Sequence, residues 1–249
     1  MNENQVKEFN IIYHNDPLIN FISYFTRNYN SIISNIYNWT NQIKRKCSNC
    51  NTQILSYQTF PYLILDLEKT RKKIFMNDLD SYHKSKLDNE LWQNEYYHNR
   101  ENIPINLIDC VQYYCSYQNQ FDFLCPMCKL NCKQTTVNTI YLSPNIFIFI
   151  LNRGKNNIFP VKMIYPPELD LSKYIEGLNC PTRYELTGVI THLGISGPQG
   201  HFLAFCKNPI NKKWYKYNDD QVSEADNYNV YNEGIAYILF YSYIKIKNT

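Results

Sequence analysis

Two stretches of the chain hold residue types that do chemistry at a useful spacing. In GPQGHFLAFCK, residues 197–207, His201 opens an apolar stretch directly after Gly200. In WYKYNDD, residues 214–220, Asn218 follows an aromatic run, 17 positions after His201. Read as two adjacent antiparallel strands with a short loop, this pattern sets Asn218 beside His201. An imidazole held through one nitrogen by Asn or Asp keeps a single tautomer, and its other nitrogen accepts a proton from a thiol or hydroxyl. Asp219 is placed to support the imidazolium or to share the orienting work. Gly200 lets another backbone pass within van der Waals range of the His201 ring. A purely structural histidine fits the same pattern. His192, in THLG at a strand end with no orienter nearby, reads as one.

The nine cysteines divide unevenly. Four form two CxxC pairs, Cys47 and Cys50 in KCSNCN and Cys125 and Cys128 in LCPMCK. Each pair sits in a turn-rich knuckle, with Asn49 and Asn51 in the first and Pro126 in the second. Two intervening residues let both sulfurs of a pair face one tetrahedral ion, and four thiolates close a structural zinc site. The 74 residues between Cys50 and Cys125 are far more than a small zinc ribbon needs, so other structure must bring the knuckles together. Two unrelated thiol pairs, or a redox CxxC, are the alternatives. Cys132 lies close enough to the second knuckle to compete as a ligand. Cys110, Cys115, Cys180 and Cys206 sit among apolar or aromatic neighbours and read as small core residues.

The elements that must position these groups follow from periodicity. Residues 16–37 read as helix, with Asp16 as cap and Pro17 at the first helical position. Leu18, Phe21, Ile22, Phe25, Tyr29, Ile32, Ile33 and Ile36 make one apolar stripe, with a break near Asn28–Asn30. Ile54–Phe60 and Tyr62–Leu67 read as strands around Pro61. Residues 68–101 are polar, charge-mixed and weakly periodic, and read as an insertion, partly helical or mobile. Residues 105–115 fit a short helix, Lys133–Leu142 a strand, and Ile146–Leu151 a buried central strand. Leu171–Ile175 fits one helical turn. Tyr184–His192, His201–Cys206, Trp214–Tyr217 and Ile235–Ile246 then read as strands separated by Gly-, Pro- and Asn-rich turns. The whole is a helical piece, a metal-bearing extension and a large antiparallel-leaning sheet.

Composition narrows the function classes. With 249 residues, 44% apolar, the chain can bury a real core without disulfides. Twenty-five basic against 22 acidic residues, with KRK and RKK as the only short clusters, argue against a nucleic-acid surface or a polybasic membrane patch. No apolar run reaches 18 residues, and MNENQVKEFN does not read as a secretory signal. Free thiols point to a reducing, cytoplasmic or nuclear compartment.

Several segments, in order, resemble the ubiquitin-specific proteases, the cysteine deubiquitinases built of fingers, palm and thumb. KCSNCN with SYQTFPYLILDL resembles the first fingers knuckle and its strands, and NLIDCVQYY with FLCPMC the helix and second knuckle. LSPNIFIFILNRGKN resembles the segment usually reading LP, an apolar run, then L-x-R. YELTGVITHLG, GHFLAFCK and WYKYNDDQV resemble the His box, and IAYILFYSY the closing strand. The likeness runs from about Ile36 to Tyr243, with 68–101 poorly matched. It implies an α+β, papain-like cysteine protease fold with a truncated helical thumb, zinc-bearing β fingers and an antiparallel β palm. Residues 1–46 would be the thumb remnant and entry to the fingers, 47–142 the fingers, and 143–249 the palm, all one domain. It implies that His201 is the general base and Asn218 the orienter, with Asp219 beside it. Gly200 and Phe202 would border the channel that receives the ubiquitin C-terminal tail. Cys47, Cys50, Cys125 and Cys128 would hold one zinc ion, and ubiquitin or a ubiquitinated protein is the implied partner.

One box of the family is not found. It opens with an Asn and, several residues on, a nucleophilic Cys at a helix N-terminus, yet no cysteine precedes Cys47. NDPLINFISYF only loosely resembles the second box, usually Q-x-D-x-x-E-F. The expectation is a chain that starts inside the thumb, after the nucleophile, and is inactive on its own. The leading reading is therefore a deubiquitinase domain whose nucleophile segment is missing from this chain. The alternative is a catalytically inactive ubiquitin-binding or scaffolding pseudoprotease.

Overall fold

The computed structural model describes residues 17–78, 104–116, 119–154, 159, 161–196 and 199–245. The expected N-terminal helix is two helices, α1 (Pro17–Tyr29) and α2 (Ile32–Tyr37). The break falls at Ser31, extended at φ −149° and ψ 163°, whose hydroxyl accepts from the Ser34 amide while Ser34 Oγ accepts from the Ser31 amide. This reciprocal pair is a capping box, which starts a new helix. The apolar stripe is accordingly not one buried face. Leu18 and Ile19 are buried, but Tyr29, Ile32 and Ile33 are exposed. Asp16 lies outside the described residues.

β1 (Trp39–Cys47) and β2 (Gln53–Phe60) form an antiparallel hairpin through the first knuckle. β3 (Leu63–Asp66) then leads into α3 (Leu67–Asp78), where the Asp66 carboxylate accepts from the Lys69 amide at 2.9 Å. The first residues of the polar insertion are thus helical, and residues 79–101 lie outside the described ones. Next come β4 (Ile105–Asn106), α4 (Leu107–Ser116), β5 (Asn119–Leu124), β6 (Asn131–Leu142) and β7 (Ile146–Asn152). β8 (Met163–Ile164), β9 (Glu168–Asp170) and β10 (Arg183–Ser196) follow. Between β9 and β10, Leu171–Ile175 makes its single turn, with Tyr174 and Ile175 amides both donating to the Leu171 carbonyl. β11 (Gln199–Lys207), β12 (Trp214–Asn218), β13 (Gln221–Ala225), α5 (Asn227–Asn232) and β14 (Ile235–Tyr243) close the chain.

Two main sheets result. The smaller has the order β2-β1-β6-β5, and both knuckles sit at one end of it. The larger has the path β13-β12-β11-β10-β14-β7-β3, with β9 also paired to β10. Its pairs are antiparallel except β3 with β7 at the edge. β3, inside the stretch 47–142, belongs to the larger sheet, and α4 packs against both β3 and β6.

Trp39 joins the two sheets. It is 1% exposed, packs on Phe60, Tyr114 and Phe147, and donates from Nε1 to the Tyr62 carbonyl at 3.0 Å. The IFIFIL run is not buried on both faces as its continuous apolar pattern suggested. Phe147, Phe149 and Leu151 are buried, while the three isoleucines that alternate with them are half-buried, so one face of β7 is fully covered and the other only in part.

Candidate active site and metal centre

β11 alternates as a half-buried strand should. Leu203 and Phe205 face the core, whereas Phe202 and Cys206 face out. Cys206 is therefore a surface thiol, not the core residue its neighbours suggested. His201 lies on the same face as Leu203, at the end where the strand leaves the core. Ala204 is opposite Tyr217 in the β11–β12 pair. That register sets Asn218 one step on, diagonal to His201 and on its face. The spacing of 17 residues thus becomes a contact: His201 Nε2 and Asn218 Oδ1 are 2.5 Å apart.

The contact fixes the proton. A carboxamide oxygen only accepts, so Nε2 is the donor in this contact and, in the neutral ring, Nδ1 keeps its lone pair. Among the described residues nothing bonds to Nδ1. Asp219 Oδ2 is 3.9 Å from Nε2, too far for a hydrogen bond, and its side chain is 80% exposed. Of the two neighbours, Asn218 alone lies within hydrogen-bond distance of the His201 ring. Asp219 itself sits in the left-handed region, φ 52°, at the β12–β13 turn, where Asp is among the tolerated residues.

Gly200 is required by a different ring from the one expected. A Cβ there would lie 2.3 Å from His192 Cε1 and 2.4 Å from the Leu193 carbonyl. The close approach is to His192, not His201. His192 is 2% exposed and its ring lies tilted against Phe202 at 4.7 Å and Tyr237 at 5.5 Å. Phe202 is half exposed above this aromatic floor and meets Tyr237 edge-on at 5.6 Å. Arg153, from the L-x-R segment, lies under Tyr237 at 5.5 Å. It is 1% exposed and donates to the carbonyls of Ala236, Phe159 and Val161. Burial lowers its pKa to about 10, so it stays charged at neutral pH, paired with carbonyls rather than a carboxylate. Tyr237 escaped the sequence reading because it lies inside an apolar strand with no distinguishing neighbour.

The two knuckles come together across β1 and β6. Sγ atoms of Cys47, Cys50, Cys125 and Cys128 all lie within 4.8 Å of one another. In each knuckle the amide two or more residues on turns back to the first cysteine: Asn51 donates to the Cys47 carbonyl, and Lys129 to that of Cys125. Asn51 and Lys129 both take positive φ, near 57–58°, which closes the turns. Cys50 Sγ and Thr52 Oγ1 are in hydrogen-bond contact at 3.1 Å, and the side-chain and backbone hydrogen bonds with Thr52 hold the Cys50 pKa down at about 6. The Asn49 side chain lowers that of Cys128. Four sulfurs, two of them favouring the thiolate form, match what a tetrahedral zinc ion requires. Elsewhere burial pushes Cys110 up to about 12 and Cys115 up to about 11, so neither is an activated thiol. None of the nine cysteines hydrogen-bonds His201.

The family model for ubiquitin carboxyl-terminal hydrolases matches residues 20–241, and the chain belongs to that family. A probable ubiquitin carboxyl-terminal hydrolase 16 of Schizosaccharomyces pombe is 37% identical over 127 residues, 49% of this chain and 27% of the relative. Ubiquitin carboxyl-terminal hydrolase Usp2 of Drosophila melanogaster is 34% identical over 126 residues, 47% of this chain and 13% of the relative. Among solved structures, a chain of the SAGA Ubp8/Sgf11/Sus1/Sgf73 DUB module bound to ubiquitin aldehyde matches with a TM-score of 0.64 at 20% identity. That match covers 92% of this chain and 49% of the solved one. It shows the fold, that of a ubiquitin-specific protease domain. The chain spans about half the length of that solved chain and much less of the curated relatives. Among the described residues no helix is long and apolar enough to cross a membrane.

Proposed function

We propose that this chain is the fingers-and-palm part of a thiol-dependent deubiquitinase, acting on the isopeptide bond after the ubiquitin C-terminus in a reducing compartment. The observation that carries this is the His201 Nε2–Asn218 Oδ1 contact at 2.5 Å, which leaves Nδ1 bare as a base. Nδ1 would take the proton of a cysteine thiol and later return it to the leaving amine. Asn218 would hold the ring through both steps. Gly200 would keep β11 pressed against His192, so that Phe202 borders the slot for the ubiquitin tail. Residues 1–46 would belong to the thumb and finger entry, 47–142 to the fingers and 143–249 to the palm. Cys47, Cys50, Cys125 and Cys128 would hold one structural zinc ion, which when bound ties the finger tips together. The family membership and the aldehyde-bound structural relative support ubiquitin as partner.

The second reading is a ubiquitin-binding protein without cleavage. It is favoured by the absence, among the described residues, of a cysteine hydrogen-bonded to His201. The two are separated by a ubiquitin probe with a thiol-reactive C-terminus, applied to the full-length gene product. Covalent labelling that the His201→Ala variant loses supports the protease. Saturable ubiquitin binding with no labelling supports the binder, and a flat titration contradicts both.

A further inference from the structure

A fifth sulfur stands against the metal cluster. Cys132 Sγ lies 3.1 Å from Cys47 Sγ, closer than Cys47 to Cys128 at 4.0 Å or Cys50 to Cys125 at 3.7 Å. It is outside the set of four whose sulfurs all lie within 4.8 Å of one another. The β1–β6 register explains the approach. Cys47 pairs with Gln134, so Cys132 is one pleat further along the same face. The Ser48 amide donates to the Lys133 carbonyl at 3.0 Å, clamping the knuckle to the strand beside Cys132. Gln134 is 1% exposed and, among the described residues, neither of its amide atoms has a partner. The cysteine pair is thus flanked by a buried polar group rather than closed off by hydrocarbon.

We propose that Cys132 is a peroxide-responsive thiol that forms a disulfide with Cys47 and so expels the finger zinc; this rests on the four-thiolate zinc reading. Cys132 is half-buried and, unlike Cys47, not tied up as one of the four ligands. Its thiolate attacks a peroxide oxygen, the O–O bond breaks, and a sulfenic acid and hydroxide result. The Cys47 thiolate then attacks the Cys132 sulfur. The S–S bond forms as the S–O bond breaks, and the departing hydroxide takes a proton to become water. Two thiols have lost two electrons, and hydrogen peroxide has become two waters. Closing from 3.1 Å to the roughly 2.0 Å of a disulfide asks for a shift of about 1 Å. Only the thiolates of Cys50, Cys125 and Cys128 would then remain for the ion, one fewer than a closed structural site needs.

The test uses the zinc-loaded chain, a small excess of hydrogen peroxide and a chromogenic chelator, with unreduced tryptic peptides read by mass spectrometry. Cys132 falls in its own short peptide, Leu130–Lys133, and fragmentation separates Cys47 from Cys50 within the other. The expected result is a Cys47–Cys132 linked pair that accumulates in step with zinc release and disappears on reduction. Cys132→Ser should bind one zinc per chain beforehand and release it at least tenfold more slowly. Equal release from Cys132→Ser, or disulfides joining only the four ligands to one another, would overturn the proposal. Should Cys132→Ser not hold zinc at the outset, the peptide map of the unsubstituted chain decides alone. A chain with no zinc before treatment would overturn the zinc reading itself, and metal expulsion with it.

Discussion

Asn218 and Asp219 are chain neighbours with unequal claims on His201. The carboxamide touches the ring and the carboxylate does not, and the difference should appear in rate. In the full-length protein, Asn218→Ala should lower kcat/KM for a ubiquitin–coumarin substrate on the order of 10²-fold or more, because the imidazole loses its tautomer. Asp219→Ala should change it by less than about threefold, since an exposed charge 3.9 Å away is largely screened. Steady-state hydrolysis of the two variants checks both. The cysteines give a second prediction at this scale. With Cys50 held at about 6, its thiolate is favoured at pH 7 and is lost as pH falls through 6. Cys110, at about 12 and buried, remains a thiol throughout. In the metal-stripped chain, iodoacetamide at pH 7 should therefore modify Cys50 first and Cys110 last. The advantage of Cys50 should shrink below pH 6, as quantified by peptide mass.

At the scale of elements, the two sites depend on different sheets. The knuckles close one end of β1 and β6, while His201 and Asn218 ride on β11 and β12. Removing zinc with a chelator should speed amide hydrogen exchange at the ends of β1 and β6 by tenfold or more and leave β11 nearly unchanged, since the larger sheet has its own core. The His201–Asn218 contact was legible because period-2 alternation and a short loop fix register, and a spacing of 17 then gives the diagonal pair. The four ligands were legible from CxxC spacing. β1 was not: WTNQIKRKC has three charges and no clean alternation, and its burial pattern is set by partners on both sides. β13 was missed for the opposite reason, being almost wholly exposed and specified by the turn at Asp219 rather than by hydrophobicity. The break expected near Asn28–Asn30 falls just after it, at Ser31, where a Ser-x-x-Ser capping box starts the second helix. The ring that Gly200 accommodates is equally a matter of register, since β10 brings His192 opposite Phe202.

The molecule as a whole joins these elements through buried contacts that sequence pattern does not display. Arg153 binds three backbone carbonyls from two segments remote in sequence and carries Tyr237 over its guanidinium. Arg153→Met keeps the bulk but leaves those carbonyls without donors, each costing roughly 1–3 kcal/mol. Urea unfolding should show a loss of about 3 kcal/mol, whereas a change under 0.5 kcal/mol would deny Arg153 that role. Residues of the larger sheet converge on the same aromatic floor beneath Phe202, so damage there should also reach His201 without touching it.

The tautomer of His201 is the most direct test, because it can be read on the chain itself by long-range 1H–15N NMR near neutral pH. The expected spectrum shows a hydrogen on Nε2 and a bare Nδ1, with Asn218→Ala turning this into a mixture. A hydrogen on Nδ1, or a spectrum indifferent to Asn218→Ala, would contradict it.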